Sequence, residues 1–187
     1  MGNQFEFTLI DENENRAEEN FEIAIEEIRR IETLLTTFSE TSITYKINEN
    51  AGIKPIEVDN EVFELIKRCQ FISKITQGAF DISYGSLDKR FWNFDLKMTS
   101  LPEPETAKKA VALINYENIL LDENNKTVFF FFIGMRIGFG GIGKGYAAEM
   151  AKKKLIENNV LNGIVNASGD LSAWGFQENG EAWTIGV

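Results

Sequence analysis

Residues 118–159 read NILLDENNKTVFFFFIGMRIGFGGIGKGYAAEMAKKKLIENN, and their three parts set the architecture. Two β-like runs, residues 118–121 and 127–133, flank the turn DENNK, which predicts a hairpin. Phe129, Phe130, Phe131 and Phe132 make the second run apolar on both faces. A glycine-rich stretch follows, and the spacing predicts a helix from there to about Asn159. Hairpin and helix in one continuous passage indicate an α+β chain.

The same alternation of patterns extends outward. Residues 4–9 place Phe5, Phe7 and Leu9 on one face and Gln4, Glu6 and Thr8 on the other, the period of a half-buried strand in an antiparallel sheet. After the acidic turn at residues 11–15, Phe21, Ala24, Ile25, Ile28, Ile31 and Leu35 recur every three or four positions, which predicts a long amphipathic helix. Residues 38–42 and Asn48 read as a polar loop after it. Asp59 is placed to cap a second helix that buries Val62, Phe63, Ile66, Cys69 and Ile72 and ends near Gly78. Pro102 and Pro104 mark the entry to a shorter third helix through Ala110 and Leu113. Residues 164–166 and 182–187 read as further strands. No repeat or linker divides the chain, so residues 1–187 are read as one α+β unit with an antiparallel sheet and packed helices. The closing WTIGV stops inside a strand pattern, which leads to the expectation that more chain follows Val187, a terminal strand of a complete domain being the other reading.

Composition removes whole classes of function. The 187 residues carry 19 Lys+Arg against 29 Asp+Glu, a formal net charge of −10, which argues against binding nucleic acid through its phosphates. With 43% hydrophobic and 12% aromatic residues the chain can bury a core. No apolar run approaches the roughly 18 residues of a membrane span, and no signal-peptide pattern occurs in the sequence. The single Cys69 excludes an intrachain disulfide. The absence of histidine excludes Ser-His-Asp and Cys-His mechanisms and most zinc and non-haem iron sites within these residues.

The chemically informative stretch is Gly138-Phe-Gly-Gly-Ile-Gly-Lys-Gly-Tyr146, between a strand and a helix. Glycines let a backbone approach a ligand, and the start of a helix offers unpaired N–H groups to an anion, so phosphate binding is one reading and a turn for tight packing is the other. The P-loop pattern fails because Gly145 follows Lys144 where Ser or Thr is needed. The dinucleotide fingerprint fails because Val165 and Asn166 stand where its acidic residue belongs. Gly78-Ala-Phe-Asp81, followed by Ser83, Tyr84 and Gly85, is a second constellation, with Asp81 either a ligand contact or a cap for its own turn. Phe91, Trp92 and Phe94 suit either ring stacking or a core.

Taken in order, these pieces resemble the flavin transferase (ApbE) family, formerly described as thiamine-biosynthesis lipoproteins. The family's opening Met-Gly-Thr is Met1-Gly2-Asn3, and its T-[YF]-x-x-x-S-x-x-x-x-x-N is TFSETSITYKIN, from Thr37 to Asn48. Its G-A-F-D-[IP]-[ST] is Gly78 to Ser83, with G-x-L and [LF]-W-x-F at Gly85-Ser-Leu87 and Phe91-Trp-Asn-Phe94. Its D-L-G-G-I-[AG]-K-G-Y-A is GFGGIGKGYA, its N-x-[GS]-G-D is Asn166-Ala-Ser-Gly-Asp170 followed by Gly175, and its W-x-I-G-[IV] closes at Val187.

The resemblance implies a T-fold-like arrangement and a Mg2+-dependent FAD:protein FMN transferase, which moves FMN from FAD to a Thr or Ser hydroxyl of a partner flavoprotein and releases AMP. Its alternatives are an FAD pyrophosphatase yielding FMN and AMP, or an FAD-binding module. It further implies that Lys144 and Gly140 contact FAD, that the Gly141 carbonyl ligates magnesium, and that Met1, Phe38, Ala79, Phe80 and Asp81 line the flavin or adenine pocket. It assigns no catalytic side chain within these residues. Two departures stand out: Gly138 replaces the family's Asp and Phe139 its Leu. By the same resemblance the remaining magnesium ligands lie in a region beyond Val187. The chain is therefore expected to be the N-terminal and central portion of one domain, inactive by itself, and the parent protein to be an extracytoplasmic, membrane-anchored lipoprotein.

Overall fold

In the computed structural model, which describes residues 4–87 and 103–186, the chain divides into two units, residues 36–141 and residues 1–35 with 142–187. In the first of these, a Ser42 hydroxyl accepts the Tyr45 amide at 2.9 Å and opens helix α2, Ile43–Glu49, where a polar loop is expected. Seven residues are too few to show a helical period, and the helix rests on its cap and on buried Thr44, Ile47 and Asn48. The Asp59 carboxylate accepts the Val62 amide at 2.9 Å and starts α3, Asn60–Ile75, as its position predicts. This helix buries Val62, Phe63, Leu65, Ile66 and Cys69, while Ile72 stays half-buried.

Strand β2, Ile56–Glu57, and the hairpin of β3, Ile119–Asp122, and β4, Thr127–Phe130, form an antiparallel sheet in the order β2-β4-β3. Asp122 holds the hairpin turn by accepting the Asn124 and Asn125 amides. Gln70 on α3 donates to the Tyr116 and Ile119 carbonyls, which ties helix to sheet. The expected strand through residue 133 stops at Phe130, and Phe131, Phe132 and Ile133 turn outward and are exposed. A run apolar on both faces does not reveal where its ladder ends. The helix α4, Pro104–Ala110, also stops short of Leu113, and Pro102 lies outside the described residues.

The other unit holds β1, Phe5–Leu9, and α1, Glu14–Leu35, with α5, Gly143–Glu157, and the strands β5, Gly163–Ala167, and β6, Asp170–Trp174. Its antiparallel sheet runs β1-β5-β6. Ala147, Ala148, Ala151 and Leu155 of α5 are fully buried, and the three small alanines let α1 approach with Ala24, Ile28 and Ile31. Ser168 and Gly169, both at positive φ, form the two-residue turn that pairs β5 with β6.

Strand β6 is not legible as a strand from its sequence, whereas the strand expected at residues 182–187 is absent among the described residues, where Ala182 makes one isolated bridge to Phe176. The segment is tethered by a side chain instead, the Trp183 indole donating to the Trp174 carbonyl at 2.9 Å. Apart from these corrections, the fold is the α+β, antiparallel one that the pattern implies.

Candidate functional site

The chain reaches its glycines by a segment that belongs to no sheet, yet whose backbone is held at residues 136, 137 and 138. The buried Asn48 carboxamide accepts the Ile137 amide at 2.8 Å and donates to the Ile137 carbonyl at 3.1 Å. The Ser86 hydroxyl does the same for residue 136, accepting its amide at 2.8 Å and donating to its carbonyl at 3.0 Å. The Gly138 amide then donates to the Ile82 carbonyl at 2.9 Å. Two side chains thus supply what a neighbouring strand would otherwise give, satisfying groups that are costly to bury unpaired.

The Gly78-Ala-Phe-Asp81 turn belongs to the same unit. It leaves α3 by the paired bonds of Gly78 to Ser73 and Gln77 to Lys74, with Gln77 at positive φ. Asp81 behaves as a cap: one carboxylate oxygen accepts the Ser83 amide at 2.8 Å and its hydroxyl at 2.7 Å, and the other accepts the Tyr116 amide at 2.9 Å. These bonds set the 3₁₀ turn Ile82–Ser86 and with it Tyr84. Ala79 is exposed and Phe80 half-buried, and a Cβ added at Gly141 would lie 3.4 Å from the Phe80 ring. Gly140 and Gly141 themselves are exposed, while Phe139 is buried. The space into which a side chain at Gly138 would project holds the Tyr84 phenol. Phe38, in this unit too, is 84% exposed.

Lys144 lies in the other unit, in the first turn of α5. That helix starts at Ile142 without a side-chain cap and without an acid in its first turn. A cation there opposes the helix dipole, and the Asp170 carboxylate, at the start of β6, offsets this by holding the ammonium at 2.9 Å. The pairing joins the first turn of α5 to the Asn166-Ala-Ser-Gly-Asp170 turn within this unit, a link that spacing alone does not show. Asn166 accepts the Gly169 amide at 2.9 Å and so fixes that turn. Met1, Phe91, Trp92 and Phe94 fall outside the described residues.

The ApbE family model matches residues 1–187. The chain belongs to the ApbE family. It is 30% identical over its whole length to the FAD:protein FMN transferase of Klebsiella pneumoniae (strain 342), of which it covers 56%. To the enzyme of the same name from Treponema pallidum (strain Nichols) it is 25% identical, over 82% of this chain and 45% of that one. Among solved structures, the ApbE protein of Thermotoga maritima superposes with a TM-score of 0.84 at 29% identity, covering 94% of this chain and 57% of that one. The flavin transferase ApbE of Vibrio cholerae shares the fold at a TM-score of 0.81 and 18% identity, over 100% of this chain and 60% of that one. The chain spans about half the length of the curated relatives it matches, at 56% and 45% of the two named.

A magnesium ion needs near-octahedral oxygen coordination. Among the described residues no group of three Asp, Glu, His or Cys side chains could hold a metal, and the Gly141 carbonyl is one donor. By themselves the described residues do not complete a magnesium site. No helix among the described residues is long and apolar enough to cross a membrane.

Proposed function

We propose that the protein carrying this sequence is an FAD:protein FMN transferase. The observation that carries this reading is the 30% identity, over the entire chain, to a Klebsiella pneumoniae protein of that name. In the proposed reaction, a Thr or Ser hydroxyl oxygen of an acceptor flavoprotein attacks the phosphorus on the FMN side of FAD. The pyrophosphate bond breaks, the hydroxyl proton is released, and AMP leaves with the bonding electrons. Dependence on magnesium is carried in the proposal by resemblance alone.

Two features support the binding half of this reading, each within its own unit. The exposed Gly141 backbone lies beside the Phe80 ring and the exposed Gly140 beside the Tyr84 phenol, which suits close approach of a nucleotide, and Ala79, Asp81 and Phe38 are carried as pocket residues by resemblance. The Lys144 ammonium stands at an uncapped helix start, which suits an anion. Met1 is carried in the proposal by resemblance alone, as is an extracytoplasmic, membrane-anchored location. Recovery of the protein in the cytosolic fraction of its cells would refute that location.

The deciding assay incubates the protein with FAD, Mg2+ and an acceptor domain, followed by mass spectrometry and AMP quantitation. The expected result is an FMN-sized adduct on a Thr or Ser with equimolar AMP, both lost on chelation. AMP and free FMN without adduct would replace the reading with FAD hydrolysis, and bound FAD that stays intact for hours would replace it with a binding module. Neither binding nor AMP would reject all three.

A further inference from the structure

Gly138 and Gly140 have ordinary negative-φ or extended backbone, since neither is among the residues at positive φ. Their lack of a side chain therefore answers to space, and Tyr84 occupies that space. A Cβ at Gly138 would meet the Tyr84 Oη at 3.4 Å, Cζ at 3.6 Å and Cε1 at 3.7 Å, and a Cβ at Gly140 would run into the same hydroxyl. The phenol lies along the glycine backbone and ends at Gly140, where the chain is exposed.

The backbone that carries this phenol is fixed from behind. The Tyr84 amide donates to the Asp81 carbonyl at 3.2 Å, and the Tyr84 carbonyl accepts the Leu87 amide at 2.9 Å, within the turn that the Asp81 carboxylate caps. Among the described residues the hydroxyl itself makes no hydrogen bond, and the residue is 43% exposed. A hydroxyl that makes no bond of its own, on a part-exposed residue packed beside bare main chain, is placed to donate to a ligand that approaches that main chain.

Resting on the reading of the glycine stretch as the seat of the FAD pyrophosphate, we propose that Tyr84 is a ligand-contacting residue whose Oη donates a hydrogen bond to a phosphate oxygen of the bound nucleotide. Tyr84 thereby favours phosphorylated flavins over riboflavin. Gly138 and Gly140 are the space this device requires.

The test titrates FAD and riboflavin, by flavin fluorescence, into the intact protein and its Tyr84→Phe and Gly140→Ala variants, with thermal melting of each as a check on folding. Tyr84→Phe removes the hydroxyl and keeps the packing. It is expected to weaken FAD binding roughly 10-fold or more, the scale of a hydrogen bond to a charged group, and to leave riboflavin affinity and melting unchanged. Gly140→Ala, whose methyl displaces the hydroxyl, is expected to give the same selective loss. Equal FAD affinity in the wild type and Tyr84→Phe would overturn the inference and leave the FAD reading standing. A parallel loss for both ligands would also overturn it, because the hydroxyl would then serve packing. A wild-type protein that binds no FAD would overturn both.

Discussion

Replacing Lys144 with methionine should separate binding from stability. The ion pair with Asp170 is partly exposed, at 27% for the Lys144 side chain and 52% for that of Asp170. A pair in that setting contributes about 0.2–1 kcal/mol. The same ammonium sits in the first turn of α5, where a cation costs about 0.3–1 kcal/mol against the helix dipole. The two contributions oppose each other at similar size, and methionine keeps the apolar stem, so folding stability should change by no more than about 0.5 kcal/mol. A charge-assisted bond from the ammonium to a phosphate contributes about 1.5–3 kcal/mol. FAD should therefore bind roughly 10- to 150-fold more weakly to Lys144→Met. Urea unfolding and calorimetric titration with FAD measure the two quantities on the same preparation. Unchanged FAD affinity, or a stability loss above about 2 kcal/mol, would show that Lys144 is a packing residue and that the charge argument is wrong.

Four further outcomes follow from the geometry. Asp59→Ala removes the α3 cap and should lower stability by about 1 kcal/mol, read as a shift in urea midpoint with unchanged slope. Gly85→Ala would bring a Cβ to 2.6 Å from the Ile137 carbonyl carbon and 2.9 Å from the Gly138 nitrogen, so a loss of about 1–3 kcal/mol is expected, and a melting temperature equal to wild type would contradict the packing described. Burial pushes the Cys69 thiol up from 9.0 to about 12. Native protein at pH 8 should therefore resist thiol reagents until it unfolds, and the stability this thiol contributes, complete below 9.0, should fall as pH climbs from there toward about 12.

In acid, the Arg16 side chain holds Asp11 below 3.8, the Asn125 side chain does the same for Asp122, and Lys67 holds Glu123 below 4.5. Burial pushes Glu149 up, but bonds from Ser172 and Lys152 outweigh it and leave the group below 4.5. Depressed carboxyls stabilise above their unfolded values and lose that contribution as pH falls through their folded ones. Urea midpoints should therefore be flat from pH 8 to about 5 in a chain without histidine, and drop below about 4.5. A transition centred near pH 6.5 would refute this.

Where one face of an element is buried, the sequence was easy to read. The alternation at β1, the α1 and α3 stripes and the Asp59 cap all declare themselves through local periodicity. Helix α2 and strand β6 did not, because the first is short and capped by a serine that looks like loop, and the second, DLSAW, leaves most of its residues half-buried on both faces. The candidate site divides the same way. The glycines, Lys144 and the Asp81 turn were legible as motifs, whereas their partners were not. That Asn48 grips residue 137, that Ser86 grips residue 136 and that Asp170 holds Lys144 depends on contacts between positions far apart in the chain. Tyr84 was visible only as a neighbour of Asp81, and its relation to Gly138 and Gly140 needed coordinates.

The grip of Asn48 and Ser86 on residues 136 and 137 also bears on the order in which the molecule assembles. The bonds close loops of 89 and 50 positions, whereas the hairpin next to them closes over the few residues of its turn. Nearby pairings form early and distant ones wait until both ends have been brought together. The glycine passage is therefore expected to acquire its shape late, once α2 and the 3₁₀ turn have both arrived, and amide protection of residues 136–138 appearing with that of the hairpin in pulsed hydrogen exchange would refute this. A nascent chain caught midway would own its helices and its hairpin while residues 136–138 still lacked their partners.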